Sequence, residues 1–299
     1  MTQEPPATPV APLARLAPIT EAALGTKEGR AAVLDVATRA AHEAASLVLA
    51  GWRTGTRAEH KGRVDLVTKF DRASEDLLRA RLTGETPFAF VGEEQGGERA
   101  RGEGSPTWYV DPLDGTTNFV HGHFFYCVSV GLMVGRTPLI GVVVAPSIGV
   151  TWTGVAGDGA WRNGEPCRVS AVDALPDALL ATGFPYDRGT SPDNNFDAFA
   201  AIKKKAQGVR RCGAAAIDVC LVADGTYDGY WEKKLWPWDV AAGAAILVGA
   251  GGKISDYGGA PADLLNGRLV ATNGRIHGAL IAELDALPSS HLPPVIRLR

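Results

Sequence analysis

The chain has 299 residues, of which 45% are hydrophobic and 21% are charged, as is ordinary for a soluble globular protein. Its 30 Lys and Arg residues against 33 Asp and Glu give a net charge of −3, which argues against bulk electrostatic attraction to nucleic acid or membranes. This length allows about two domains.

The start of the chain differs in composition from the rest. Its first 20 residues are rich in proline and lack the basic-then-apolar order of a signal peptide. We therefore predict a disordered tail over residues 1–27. No uninterrupted apolar run reaches transmembrane length. The four cysteines show no C-x-x-C spacing, so we expect reduced, structural thiols and a cytoplasmic protein.

Apolar periodicity predicts the secondary structure in chain order. A helix is expected over about 28–52, and a second helix begins after Thr68. Strand signals separated by short turns follow, at 88–91, 107–111, 124–134, 138–145 and 149–155. These favour an antiparallel sheet.

Near residue 171 the pattern changes to alternating strands and helices. The predicted strands are 179–182, 227–231, 252–255 and 269–272. The predicted helices are 194–205, 214–223, 240–249 and 274–286. We therefore expect an α+β part over 28–170, which would carry the metal site on an antiparallel sheet, and an α/β part over 171–299, which would complete the active site.

The segment 108–119 carries the strongest chemical signal. Its β-branched and aromatic start predicts a strand that ends near Asp111, because Pro112 cannot donate a ladder hydrogen bond. Asp114 is followed by glycine and predicts a turn. Two carboxylates, with the carbonyl of Leu113 between them, supply the oxygen ligands that Mg²⁺ prefers. Taken alone, a strand end followed by a common turn explains the segment equally well.

Two further acidic patches shift that balance towards a metal site. The short apolar strand 88–91 runs into Glu93 and Glu94. Asp239 precedes the apolar run 240–248 and is predicted at the N-cap of a helix. For a single aspartate in that place, an ordinary cap is the better explanation.

A fourth polar site lies near the start of the second helix. Thr68 and Asp71 are three residues apart and share a helix face. The plain alternative is that both only satisfy free backbone N–H groups at the helix start.

Together, and in this order, these motifs resemble the inositol monophosphatase family of Mg²⁺-dependent phosphatases. The matching stretches are Asp65–Asp71, Gly92–Glu94, Asp111–Phe119 and Trp238–Gly243, with weaker likeness at Gly157–Gly164 and Cys212–Glu232. The likeness spans roughly residues 28–285. It implies a layered αβαβα sandwich with the active site between the two parts.

The resemblance implies two or three Mg²⁺ ions and sensitivity to lithium. Glu93, Asp111 and the Leu113 carbonyl would hold one ion. Asp111, Asp114 and Asp239 would hold a second, and Glu93 would share a weaker third ion through water.

It also implies catalytic roles for three residues. Thr116 would orient the attacking water together with Glu93. Asp71 would form a hydrogen bond with Thr116 and assist the departure of the proton.

The substrate residues follow from the same resemblance. Backbone N–H groups of Gly115 and Thr116 would cradle the phosphate. Ala215 and Glu232 would contact the alcohol part of the substrate, and Lys61 matches a loop lysine near the metals, although an exposed lysine without a role explains it too. The residue before Ala215 is alanine, where the family often has Ser or Thr, so one polar contact is missing.

These features favour a small polyol phosphate, first of all myo-inositol monophosphate. Relatives with the same metal core act on histidinol phosphate, fructose 1,6-bisphosphate or nucleotide 3′-phosphates, and these remain open. A non-catalytic binding protein in an RNA or protein assembly is the alternative from another class, but the complete acidic set argues against it. Expected partners are a small phosphate ester and a second copy in a homodimer, with no nucleic acid and no membrane.

Overall fold

A computed structural model describes residues 19–55, 58–60, 66–98, 104–265 and 267–291. Lys61 and Asp65, which belong to the motifs that carry the family resemblance, lie outside these ranges. Within them, no helix is long and apolar enough to cross a membrane.

The α-helices of the described ranges are α1 (Lys27–Gly51), α2 (Lys69–Glu85), α3 (Thr116–Val120), α4 (Phe196–Lys203), α5 (Ala215–Ala223), α6 (Pro237–Gly249) and α7 (His277–Asp285). The strands of the first part are β1 (Glu59–His60), β2 (Leu66–Val67), β3 (Ala89–Gly92), β4 (Pro106–Asp114), β5 (Cys127–Val134), β6 (Thr137–Ala145), β7 (Val150–Val155), β8 (Gly159–Arg162) and β9 (Glu165–Pro166). Those of the second part are β10 (Leu179–Thr182), β11 (Gly208–Arg210), β12 (Gly229–Lys233), β13 (Lys253–Ser255) and β14 (Arg268–Thr272).

These elements stack in five layers, which confirms the predicted αβαβα sandwich. Helices α1 and α2 cover one face of a seven-stranded sheet of order β3-β4-β5-β6-β7-β8-β9. Helices α5 and α6 form the middle layer, between this sheet and a five-stranded sheet of order β11-β10-β12-β14-β13. Helices α4 and α7 pack against the outer face of the second sheet.

The strand directions of the first sheet agree with the predicted antiparallel sheet except at one edge. In the first sheet every neighbouring pair is antiparallel apart from β3 and β4, which are parallel. The second sheet is mixed, with β10 parallel to both β11 and β12, and β14 antiparallel to its two neighbours. One hydrophobic core cluster contains residues from both sides of residue 170. The predicted boundary between two parts at that residue therefore separates the two sheets but not two separate cores, and it stays a prediction.

The prediction of a disordered tail over residues 1–27 is wrong for residues 19–27, which the structure describes. Residues Glu21–Gly25 form a 3-10 helix, and Ile19 and Leu24 pack against the core beneath α1. Residues 1–18 lie outside the described ranges. Two apolar side chains in this short segment are enough to dock it.

Strand β4 continues through Pro112 to Asp114, whereas the sequence predicts an end near Asp111. The pairing with β5 shifts between Asp111, opposite Ser129, and Asp114, opposite Cys127. Three steps along β4 therefore match two along β5, which is a β-bulge. A bulge leaves one residue out of the hydrogen-bond ladder, so a proline is tolerated within the strand.

A row of three glycines lets α6 lie directly on the first sheet. Gly131 on β5 lies opposite Gly141 on β6, which lies opposite Gly154 on β7. A Cβ at Gly131 would come within 2.5 Å of the backbone nitrogen of Ala242, and one at Gly154 within 2.6 Å of the Cα of Ile246. Glycines in strand interiors often mark such close backbone approaches. The row of glycines therefore sets the short distance between α6 and the sheet.

A buried histidine makes the stability of the second part sensitive to acid. His277 at the start of α7 is 3% exposed, and its ring nitrogens lie 2.8 Å from the Thr272 hydroxyl and 2.9 Å from the Ser255 hydroxyl. Burial, with a smaller effect from Lys253, lowers its pKa to about 4. Between that value and the unfolded pKa of about 6.5, the unfolded chain binds more protons, so stability falls as pH falls.

We therefore expect the free energy of unfolding to fall by about 2 kcal/mol more in the wild type than in His277→Gln between pH 7 and pH 5. Urea unfolding of both proteins at the two pH values measures this difference. Parallel pH dependence of the two proteins would contradict the assignment of the acid sensitivity to His277.

Candidate active site

A cavity of about 360 Å³ opens where the two sheets and the middle helices meet. Its acidic lining consists of Glu93, Asp111, Asp114, Asp187, Asp218, Glu232 and Asp239. Arg211 and Lys234 are the cationic side chains of this lining, which otherwise includes Leu113, Gly115, Thr116 and Ala215. Carboxylates thus outnumber cations, so a phosphate ester alone would be repelled from this cavity.

The bulge in β4 brings two acids to the same place. Successive side chains of a strand point to opposite faces, so Asp111 and Asp114, three apart, would normally diverge. The extra residue in the bulge reverses that alternation, and both line the cavity. The backbone N–H of Leu113 donates to Asp111 over 3.0 Å, and the Ser74 hydroxyl donates to the Pro112 carbonyl over 2.9 Å. These two bonds hold the bulge.

Asp114 also connects the first sheet to helix α5. The residue before that helix is Ala214, whose side chain cannot cap it. Instead, Asp114 accepts a hydrogen bond from the backbone N–H of Ala216 over 2.8 Å. An acidic side chain from a distant strand therefore takes the place of a local N-cap.

Asp239 lies at the third residue of α6, so its predicted N-cap position is wrong. The N-cap is Trp236, and Pro237 begins the helix two residues before Asp239. The Asp239 carboxylate accepts the backbone N–H of Trp236 over 2.7 Å while it lines the cavity. Proline is favoured in the first helical turn because a backbone N–H at that position would have no partner within the helix. Helix α6 therefore begins at Pro237, upstream of the predicted start.

Glu93 follows β3, beside Asp111. Its backbone N–H donates to the Val110 carbonyl over 3.1 Å and extends the parallel pairing of β3 and β4 by one residue. The register of β3 and β4 advances by one residue on each strand, so Glu93 lies next to the start of the bulge at Asp111.

Thr116 and Asp71 form a hydrogen-bonded pair behind the acids. The Thr116 hydroxyl lies 3.0 Å from Asp71 Oδ1 and 3.0 Å from the Leu113 carbonyl, and its single proton serves one of them at a time. The other oxygen of Asp71 accepts the backbone N–H of Thr68 over 2.8 Å and its hydroxyl over 2.5 Å. Asp71 thus completes the capping box of α2 and also holds the Thr116 hydroxyl.

Burial and mutual repulsion disfavour the charged forms of these acids. Burial, then the charge of Glu93, raises the pKa of Asp111 and of Asp239 well above its ordinary value. Burial raises the pKa of Asp114 to about 7, against the stabilising hydrogen bond from Ala216. A bound cation would oppose both causes, so hard oxygen donors in this setting fit a divalent metal.

The side chains are not gathered into a finished coordination shell. Among the described residues, no three His, Cys, Asp or Glu side chains form a group that would hold a metal ion directly.

Glu232 and Asp218 form the acidic wall on the side of the second sheet. Glu232 on β12 accepts a hydrogen bond from the Tyr230 hydroxyl, and the missing side chain of Gly183 leaves room for its carboxylate. Burial raises the pKa of Glu232 to about 7. Asp218 on α5 is 1% exposed, and its Oδ1 has no hydrogen-bond partner among the described residues.

The sequence model of the inositol monophosphatase family matches residues 30–289. The chain belongs to the inositol monophosphatase family.

Similar proteins agree with this family assignment. The inositol-1-monophosphatase of Synechocystis sp. is 41% identical over 256 residues, which cover 85% of this chain and 89% of that protein. A Pseudomonas aeruginosa protein named Nus factor SuhB is 38% identical over 274 residues, which cover 89% of this chain and 98% of that protein. The solved inositol monophosphatase of Anabaena (Nostoc) sp. PCC 7120 matches with a TM-score of 0.78 at 39% identity, covering 86% of this chain and 96% of that one. As a member of this family, the chain is a phosphoric monoester hydrolase.

In this member of the family, most residues singled out from the sequence line one cavity. They are Glu93, Asp111, Leu113, Asp114, Gly115, Thr116, Ala215, Glu232 and Asp239. Asp71 lies behind Thr116 and does not line the cavity, whereas Lys61 falls outside the described ranges.

Sequence reasoning missed one wall of the cavity. Lys234 places its ammonium group 2.8 Å from an Asp187 oxygen and 2.7 Å from the Ser191 hydroxyl, which holds the loop after β10 over the cavity. Lys234 is more than 40 positions from both Asp187 and Ser191 in the sequence, and none of the three belongs to a motif. Only the parallel pairing of β10 with β12 brings them together.

Proposed function

We propose that this phosphatase is Mg²⁺-dependent and acts on a small polyol phosphate, with myo-inositol monophosphate as its principal substrate. The observation that carries the proposal is the meeting of Glu93, Asp111, Asp114 and Asp239 in one cavity, whose opposite wall is Glu232. The cavity thus has one end where four carboxylates would bind cations and another end where Glu232 would accept hydrogen bonds from a substrate.

The donor set supports two metal positions. Glu93, Asp111 and the Leu113 carbonyl would hold one Mg²⁺, and Asp111, Asp114 and Asp239 a second, with Glu93 sharing any third ion through water. Bound Mg²⁺ would neutralise the phosphate, acidify a water molecule and stabilise the departing oxygen. We also propose that Li⁺ inhibits the enzyme at limiting Mg²⁺, because it would take the place of the more weakly held Mg²⁺.

The protein's own part in the reaction centres on Thr116. Because its hydroxyl proton points to Asp71 or to the Leu113 carbonyl, an oxygen lone pair is left to accept a hydrogen bond from the attacking water. Glu93 would orient the same water from the other side. Burial raises the pKa of Asp71, which makes its carboxylate a better acceptor for the proton that leaves.

Substrate recognition would begin at the phosphate. Gly115 has φ 88°, a left-handed conformation that glycine adopts without strain, and it precedes the turn of Thr116. The backbone N–H groups of these two residues would hold phosphate oxygens. The backbone at Ala215 would approach the alcohol part of the substrate.

The alcohol part would then meet Glu232 and Asp218, which accept hydrogen bonds when ionised. Adjacent ring hydroxyls of a polyol supply the matching donors, which favours inositol phosphate over an alcohol with few hydroxyls. The ammonium group of histidinol phosphate would satisfy the same two acids and makes that ester the runner-up. Fructose 1,6-bisphosphate and nucleotide 3′-phosphates present additional anionic groups, which these acids would repel.

A non-catalytic role in an assembly remains the alternative from another class, since one relative is named Nus factor SuhB. The intact pair of Thr116 and Asp71 beside the full acidic set favours catalysis. A homodimer and a cytoplasmic location also stay predictions. Light scattering coupled to size exclusion tests the first of these.

Glu232→Gln is expected to weaken recognition of inositol phosphate by about 1.5–3 kcal/mol, the range for hydrogen bonds to charged groups. The amide keeps the size and the bond from Tyr230 but loses the charge. An aryl phosphate has no ring hydroxyls and should be hydrolysed nearly as before. The quantity to measure is the ratio of kcat/KM for the two substrates in wild type and variant.

Equal losses on both substrates would mean that Glu232 supports the metal end of the cavity. With histidinol phosphate measured as a third substrate, a large loss on it beside no loss on inositol phosphate would replace inositol phosphate by the runner-up.

A further inference from the structure

Helix α2 carries an ion pair with a buried carboxylate that the proposed reaction does not use. Glu75 is fully buried at 0% exposure and lies 2.8 Å from the guanidinium of Arg79, one helical turn later. Neither residue lines the cavity. A carboxylate removed from water is retained only where charge and hydrogen bonds compensate for its lost hydration.

The compensation for Glu75 comes from the turn that follows Glu93. One carboxylate oxygen accepts the backbone N–H of Glu94 over 2.7 Å, and the other accepts that of Gln95 over 3.1 Å. The carboxylate also fills the space beside Gly92, where a Cβ would overlap it. The residues on both sides of Glu93 are therefore fixed by one side chain.

Arg79 closes the same turn from outside. Its guanidinium donates to the Gly96 carbonyl over 2.9 Å and packs over the ring of Phe90, 4.2 Å from the centroid. Gly96 in turn accepts the backbone N–H of Gly92 over 3.0 Å. The turn from Gly92 to Gly96 is thus held at its start, middle and end.

The same helix face holds the other parts of the site. Asp71, four residues before Glu75, binds Thr116, and Ser74 binds the Pro112 carbonyl in the bulge. Residues three and four apart share a helix face. One rigid face of α2 therefore sets the positions of Thr116, the bulge and the Glu93 turn relative to one another.

We propose that Glu75 is a positioning residue that aims Glu93 at Asp111 and so sets the metal affinity of the cavity. This rests on the proposed function, in which Glu93 is a metal ligand. If the Glu75 carboxylate no longer accepts the two N–H groups, the turn is free to rotate and Glu93 loses its direction without any change in the cavity lining.

The test compares Glu75→Gln with Asp76→Asn as a matched control. The glutamine side chain would keep the size but would turn an NH₂ group towards backbone donors and lose the pair with Arg79. Asp76 is the next residue on α2, and from an exposed position it accepts a hydrogen bond from the side chain of Gln95 over 2.7 Å. Both substitutions remove one negative charge from the same helix, so a difference between them comes from the contacts of Glu75 with the turn and with Arg79 and not from the charge alone.

Two readouts are taken on folded protein without substrate. Titration with Mn²⁺ followed by electron paramagnetic resonance gives metal affinity, and hydrogen exchange gives the protection of the Glu94 and Gln95 amides. Glu75→Gln should bind Mn²⁺ at least 10-fold more weakly, within the range for groups that support metal ligands, and should lose protection at both amides. Asp76→Asn should resemble wild type in both, and Glu75→Asp should recover part of the affinity.

Wild-type Mn²⁺ affinity in folded Glu75→Gln would overturn the proposal, as would an equal loss in Asp76→Asn. Should Glu75→Gln fail to fold, Glu75→Asp decides the matter, since unchanged affinity and protection in that shorter side chain would overturn it too. Absence of Mn²⁺ binding by the wild type is a different result, because it removes the metal site itself.

Discussion

Replacing Asp239 with asparagine is expected to lower kcat/KM by about 10²-fold or more, since even residues that only support a metal ligand change affinity or activity 10–100-fold. The amide still accepts the backbone N–H of Trp236, so helix α6 should start at the same residue. What is lost is one negative charge facing Asp111 and Asp114 in the cavity. Initial rates across a Mg²⁺ titration measure the effect and show whether more Mg²⁺ restores part of it.

Asp187→Asn is the matched control for this substitution. Asp187 lines the same cavity but is paired with Lys234, and it is not a proposed ligand. Its replacement should leave the Mg²⁺ requirement unchanged. Full activity of Asp239→Asn, or the same shift in Mg²⁺ requirement in both variants, would contradict the ligand assignment.

Thr116→Ala is expected to lower kcat by about 10²-fold or more, the scale of lost acid–base assistance. In the proposed reaction the hydroxyl, which is hydrogen-bonded to Asp71, would orient the attacking water, and the methyl group of alanine cannot replace it. Mg²⁺ affinity should change little, because the hydroxyl is not a principal ligand. Thr116→Ser keeps the hydroxyl and should recover most of the rate.

A double-mutant cycle with Asp71→Asn tests whether the two residues act together. If Asp71 works through Thr116, the double variant should be little slower than Thr116→Ala alone, because coupled residues are not additive. Isothermal titration that shows weakened Mg²⁺ binding as the main defect of Thr116→Ala would move this residue to the metal site.

The sequence predicted the individual strands and helices well because they depend on local periodicity, whereas the layered arrangement was implied by the family resemblance. Alternating and helical apolar patterns placed nearly all the longer strands and helices within a few residues of their observed bounds. It failed at Pro112, where the general rule against proline in strands was overridden by a bulge. A bulge depends on how the partner strand is paired, and one segment of sequence does not contain that information.

The sequence predicted most residues of the site but not the contacts that hold them in place. Asp111 and Asp114 could be named from their motif, but their common direction comes from the bulge. No motif in the sequence singles out Glu75, and only the fold shows its carboxylate inside the Glu93 turn. Contacts between distant segments, such as Asp114 with Ala216, likewise appear only when strand β4 and helix α5 are brought together.

The most direct test of the central claim is the initial rate of phosphate release from myo-inositol 1-phosphate with saturating Mg²⁺ and again with excess EDTA. We expect rapid release in Mg²⁺, loss of nearly all of it in EDTA, and full recovery when Mg²⁺ is added back in excess of the chelator. Undiminished release in EDTA would contradict the metal assignment. Failure to release phosphate from inositol, histidinol, fructose or 3′-nucleotide phosphates at any Mg²⁺ concentration would contradict the catalytic function itself.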